Sequence, residues 1–122
     1  MTSTLATALV SGDSVAVAFA LRNGGAVVPM LDADGPPQVR VFRRGDADKY
    51  MLLLFSSIET YTAMLPDEDA PASEVYEASA LLDFLTQNVG VLEIVWFDVA
   101  GPHSMQATPQ DIIAALELPR AR

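Results

Sequence analysis

The chain has no cysteine. Disulfides, thiolate nucleophiles and cysteine-ligated zinc are thereby excluded together, and the composition fits a reducing compartment. It has one histidine, His103, so no two-histidine metal site can be built from it. Ser104 follows directly, but a catalytic pair is seldom made from adjacent residues without a third group to orient them, and His103 reads as a polar turn residue. A glycine-rich phosphate loop is missing too, because Asn23-Gly24-Gly25 lacks both the lysine and the spacing. No apolar run reaches the roughly 20 residues that span a bilayer. The most apolar opening, Leu5 to Leu21, is broken by Ser11-Gly12-Asp13-Ser14, and no basic residue precedes Arg22 as a secretory leader would need. The expectation is a soluble cytoplasmic protein with no membrane partner.

Positive charge is missing from half of the chain. Between Met51 and Pro119 there is no lysine or arginine, against eleven acids: Glu59, Asp67, Glu68, Asp69, Glu74, Glu77, Asp83, Glu93, Asp98, Asp111 and Glu117. The net charge is −9. Such a field repels phosphate backbones, which argues against nucleic acid. Two readings of the acidity stand: it keeps an apolar domain soluble, or it steers a basic protein partner.

Apolar material is abundant. At 122 residues and 51% hydrophobic, the chain suffices for one domain, which at this size buries roughly two-thirds of its unfolded surface. We expect a single α+β domain over 1–122, with a mixed or antiparallel sheet of four to five strands and three to five helices packed against it. A helical segment occupies 1–25, sheet and helices 26–118, and a tail 119–122.

The organising stretch is Lys49-Tyr50-Met51-Leu52-Leu53-Leu54-Phe55, an apolar run too short for a typical helix and read as a strand buried on both faces. Ser56 and Glu59 then have capping-box spacing at the start of a helix carrying Ile58, Tyr61, Met64 and Leu65. Upstream, Thr2 to Val10 reads as a short helix ended by Gly12. Ser14 to Arg22 is ambiguous, since Val15, Val17, Phe19 and Leu21 alternate like a strand. Its alanines and the Asn23-Gly24-Gly25 stop favour helix. Ala26 to Leu31 reads as a strand that Pro29 confines to an edge or ends early. After the Asp32 to Pro37 turn, Val39 to Arg44 reads as a half-exposed strand with a basic stripe, completing a meander. Downstream of an acidic loop, Pro66 to Ser73, Glu74 to Asn88 reads as a helix with Ala78, Leu81, Leu82 and Leu85 at i, i+3, i+4 and i+7. Val91 to Phe97 is a second buried strand, Ser104 to Ala107 a short return strand, and Thr108-Pro109-Gln110-Asp111 a helix start.

Candidate chemistry is sparse. Asp32-x-Asp34-Gly35 and Asp46-x-Asp48 offer oxygens to a divalent cation, but neither continues into an EF-hand, and turn chemistry accounts for both. No catalytic residue, metal ligand or cofactor is assigned. The leading expectation is a non-enzymatic interaction or regulatory module with a protein partner, and a homodimer is compatible with it. The alternative is a domain that binds a small molecule or a divalent metal. Candidate contact residues are the acids Glu59, Asp67, Glu68, Asp69 and Asp98 and the aromatics Tyr61, Tyr76 and Trp96.

Four stretches carry a resemblance: Leu52-Leu53-Leu54-Phe55-Ser56-Ser57-Ile58-Glu59, Ala80-Leu81-Leu82-Asp83-Phe84-Leu85, Gly90-Val91-Leu92-Glu93-Ile94-Val95-Trp96 and Thr108-Pro109-Gln110-Asp111-Ile112-Ile113. In that order they resemble the N-terminal domain of the enhanced-serine-sensitivity (SseB) family, whose members carry a strand ending in Phe-Thr-Ser and an apolar strand ending in Asn-Pro-Gly. Ser56 stands where the family has threonine, and Asp98-Val99-Ala100-Gly101-Pro102 replaces Asn-Pro-Gly. The likeness covers roughly 26–118. It implies an α+β cytoplasmic bacterial domain acting in protein association or regulation, with no catalytic residues to transfer.

Overall fold

Residues 4–31, 38–43, 45–68, 72–99, 101 and 103–117 are described by the computed structural model. The Asp32 to Pro37 turn, Arg44, Asp69 and the tail from 119 lie outside them.

The chain opens with a helical hairpin. Helix α1 spans Thr4–Ser11 and α2 spans Ser14–Gly24. Gly12 turns between them at φ 69°, and Asp13 caps α2 by accepting from the Val15 N–H at 2.9 Å. The ambiguous stretch is therefore helical, and burial shows why: Val17, Ala20 and Leu21, at i, i+3 and i+4, are covered, while Val15 and Phe19 stay 72% and 47% exposed.

At the end of α2, Gly25 adopts φ 83° and ψ −166°, and a Cβ there would collide with the Tyr76 carbonyl oxygen. Only glycine lets strand β1 (Ala26–Pro29) start so close to β3 (Ser73–Tyr76), its antiparallel partner. On its other side β1 meets the end of β2 (Tyr50–Leu54) through one reciprocal pair, Val27 N–H to Phe55 O at 2.8 Å and Phe55 N–H to Val27 O at 3.0 Å. Pro29 stops that pairing from lengthening, since it has no N–H and its carbonyl accepts from the Arg40 N–H at 2.9 Å. Pro29 does end β1, but as a buried residue between two neighbours and not at an edge.

β2 runs parallel to β4 (Leu92–Phe97), and β4 antiparallel to the short β5 (Met105–Ala107). The described residues thus form five strands in two sheets, β1-β3 and β2-β4-β5, smaller than the single expected sheet. The fold is α+β, with helices α3 (Ile58–Met64), α4 (Ala78–Asn88) and α5 (Pro109–Glu117) after the hairpin. None of the described helices is long and apolar enough to cross a membrane.

Three local expectations are corrected. Val39 to Arg43 forms no ladder: Val39 bridges Met30 and Phe42 bridges Met51, so the segment changes partner before a strand can grow. Glu74 to Tyr76 is extended, not helical, because these residues pair with β1, and α4 begins only at Ala78. The capping box at α3 uses Ser57 and Thr60, with Thr60 N–H donating to Ser57 Oγ at 3.2 Å, because Ser56 is engaged elsewhere. At α5 the expectation stands: the Asp111 N–H donates to Thr108 Oγ1 at 3.1 Å and Pro109 takes the first turn.

The central run divides by parity, as a strand buried on both faces must. Leu52 and Leu54, with Val28, Val95 and Phe97, face a core built with α1, α2, α4 and α5. Leu53 and Phe55, with Val27, face a smaller cluster around Tyr61 of α3. Gly25→Ala adds a steric collision to a backbone conformation that side chains rarely adopt, and we expect a loss of about 3 kcal/mol in urea unfolding. Gly12→Ala, at positive φ but with open space around it, should lose only about 1 kcal/mol.

Candidate functional site

The parallel strands β2 and β4 end side by side, and Asp98 closes their ends. Its N–H donates to the Leu54 carbonyl at 2.9 Å, which carries the pairing one residue past β4. The chain then turns sharply, with Asp98 at φ 46° and the Gly101 N–H donating to its carbonyl at 2.8 Å. Aspartate tolerates this left-handed region better than most residues.

Asp98 is buried, at 6% exposure for the residue, and its carboxylate is met by neutral donors. The Ser56 N–H donates to Oδ1 at 2.8 Å and the Ser56 hydroxyl to Oδ2 at 2.6 Å. Thr60 Oγ1 lies 3.0 Å from Oδ1 and 2.9 Å from the Ser57 carbonyl, so its single proton is shared between them. The carboxylate thus sits at the N-terminal end of α3, where the helix dipole favours negative charge. Open α/β sheets commonly bind ligands at the carboxyl ends of parallel strands. In this chain that position is filled from within by Asp98, Ser56 and Thr60. The Ser56 hydroxyl donates to a carboxylate fixed by the fold, the geometry of a structural tie.

The other candidate residues are dispersed. Glu59 is exposed in the first turn of α3, and Asp67 and Glu68 lie beyond its last turn, at the other end of the helix. Glu68 takes two bonds from Arg40 Nη1, at 3.1 and 3.0 Å, an exposed pair worth at most about 1 kcal/mol. The Glu68 carboxylate also holds the Arg40 guanidinium above its ordinary range. Tyr76 and Trp96 are half-buried, packed against the larger and the smaller core respectively.

Two of the proposed surface contacts are interior residues. Asp98 is the buried carboxylate already described, and Tyr61, at 0% exposure, packs its ring 5.1 Å from that of Phe55. The helical period that singled out Tyr61 also singled out Ile58, yet Ile58 is exposed, since only one side of α3 meets the sheet. His103 and Asp46 are exposed, and the described residues contain no group of three or more histidines and acids able to hold a metal ion.

Two features escaped the sequence reading. One is strand β3, an outer strand of its sheet with Glu74 and Val75 exposed. The other is a cleft between α2, β5 and α5 that contains Arg22 and Asp111. Neither has a sequence signature, because one depends on β1 claiming residues of a helix-like segment and the other on helices far apart in the chain. No family model matches this chain, and neither does any curated protein or solved structure.

Removing Asp98 strands the buried Ser56 N–H, so Asp98→Ala should cost about 3 kcal/mol in urea unfolding. Asp98→Asn keeps an acceptor and the tolerance of positive φ, and should cost about half as much. Tyr61 gives a different test. Its buried hydroxyl has no hydrogen-bond partner. Burial pushes the phenol above its ordinary value of 10.0, with the nearby Arg40 guanidinium pulling the other way. The folded state therefore favours the protonated phenol: its contribution is intact below the unfolded pKa and is lost as pH rises through the raised folded one. Tyr61→Phe should be neutral or stabilising by about 1 kcal/mol at neutral pH, and should flatten the loss of stability above pH 10 seen by chemical denaturation.

Proposed function

We propose that this protein is a non-catalytic binding module that takes an extended basic segment of a protein partner along the outer edge of β3. The observation that carries this reading is the direction of the β3 backbone. In β1, the N–H and C=O of Val27 are spent on Phe55, so Ala26 and Val28 bond toward β3 and meet Tyr76 and Glu74. Alternation along the strand then turns the N–H and C=O of Val75 outward, where they have no strand partner among the described residues.

Such an edge can accept an added strand, with main-chain bonds supplying affinity and side chains supplying preference. The preference here is for positive charge. Glu74 and Glu77 flank Val75, all three are exposed, and no lysine or arginine lies between Met51 and Pro119 to neutralise them. Val75 itself is 63% exposed and offers an apolar contact on this edge. A cytoplasmic, regulatory role and membership of an SseB-like group belong to the same proposal, since that resemblance implies protein association and transfers no catalytic residue.

The test is fluorescence anisotropy with a labelled peptide that alternates lysine and valine, against an acidic peptide of the same length. The basic peptide should bind at low salt and weaken as salt rises, since exposed charges are screened. Val75→Pro removes the outward N–H and fixes φ at this position, while the donors of Glu74 and Tyr76 remain. It should weaken the peptide about tenfold, with thermal melting confirming that the fold persists. Equal binding of both peptides, or of Val75→Pro and the parent protein, rejects the reading.

A further inference from the structure

We infer that the cleft between α2, β5 and α5 is a binding site for a small zwitterion with an apolar body, the chemistry of a free α-amino acid such as leucine. The cleft measures about 410 Å³ and is walled largely by apolar side chains, among them Ala18, Met105 and Ile112. Its polar groups are Ser14, Arg22, Gln106 and Asp111.

Arg22 is unusual in this molecule. It is half-buried, in a chain of sixteen acids and seven bases, yet no carboxylate among the described residues pairs with it. Its Nη1 donates to the Ala115 carbonyl of α5 at 3.1 Å, and its Nε is buried without an acceptor. A guanidinium presents five donors in a planar fork that matches a carboxylate, and one backbone carbonyl uses one of them.

The opposite charge stands on the same wall. Asp111 precedes Ala115 by four residues on α5, so its backbone lies about 6 Å along the helix from the carbonyl that holds Arg22. Asp111 is exposed and makes no ion pair with Arg22. A cation and an anion that line one cleft and are not bonded to each other offer one partner for each end of an α-amino acid. The carboxylate goes to Arg22, the ammonium to Asp111 and the side chain to the apolar wall. A fully apolar ligand would leave both charges unused, and a simple anion would face repulsion from Asp111.

This inference is independent of the β3 edge, so either can fail alone. The experiment titrates the intact protein with leucine, leucinamide and 4-methylpentanoate, read by calorimetry and by amide chemical shifts at Arg22 and Asp111. Leucine should bind saturably, and each analogue, lacking one charge, should bind about tenfold more weakly. Asp111→Asn should erase the preference for leucine over 4-methylpentanoate while keeping the preference over leucinamide. Arg22→Met should abolish binding of leucine. No saturable binding of leucine, equal binding of leucine and 4-methylpentanoate, or unchanged binding in Arg22→Met overturns the assignment.

Discussion

The parallel pairing of β2 with β4 is the constraint from which the remaining architecture follows. Two parallel neighbours cannot be joined by a hairpin, so the chain from Phe55 to Val91 has to leave the sheet and return. It does so through α3, β3 and α4, and on the way β3 supplies β1 with its partner. Both paired strands are covered on both faces, which requires helices on either side: α1, α2, α4 and α5 on one, α3 on the other. The position of α3 is in turn set at its start by Asp98, since the residue that follows β4 binds Ser56 before the helix and Thr60 within it. One carboxylate therefore couples the end of a strand pair to the helix that caps the second core.

That coupling decides what the carboxyl ends of the strands can do. A carboxylate served by a backbone N–H and two hydroxyls, all fixed by the fold, is stabilised where it stands and offers little to an incoming substrate. The sheet edges and helix junctions are where we propose that the molecule meets others. β3 and β5 each end a sheet, and each borders one of the surfaces to which we assign binding. The smallness of the sheets is thus part of the functional argument, because a wider sheet would have covered these edges.

Most elements were legible from local pattern, and the failures share a cause. Leu52-Leu53-Leu54-Phe55, Leu92 to Phe97, Leu81 with Leu85, and Thr108-Pro109 each carry their signal within a few residues, and each forms the element expected. Ser73 to Tyr76 does not, since its extended form is imposed by β1 from far away in sequence. The cap moved from Ser56 to Ser57 for the same reason: two adjacent serines are equivalent locally, and Asp98 chooses between them across 42 residues. Val39 and Phe42 have the alternation of a strand but two different partners. The candidate site was less legible than the fold. Composition revealed the acids, but whether Asp98 or Tyr61 faces water depends on what packs above them.

The charge asymmetry has a structural consequence that links these observations. In a half-chain without lysine or arginine, a carboxylate that must be buried can be satisfied only by neutral donors or by a cation from the other half. Asp98 takes the first route, while the exposed Glu68 reaches a cation of the other half, Arg40. The exposed acids Glu59, Glu74, Glu77 and Asp83 do neither and project a negative field into solvent. Of the four basic residues described, Arg43 and Lys49 stand exposed, Arg40 is paired, and Arg22 is held by a helix carbonyl without an ion pair to any described carboxylate. A surplus of acids would ordinarily recruit such a cation into an ion pair. Arg22 instead lines the apolar cleft between α2, β5 and α5, and a guanidinium so placed is suited to receiving an anionic group.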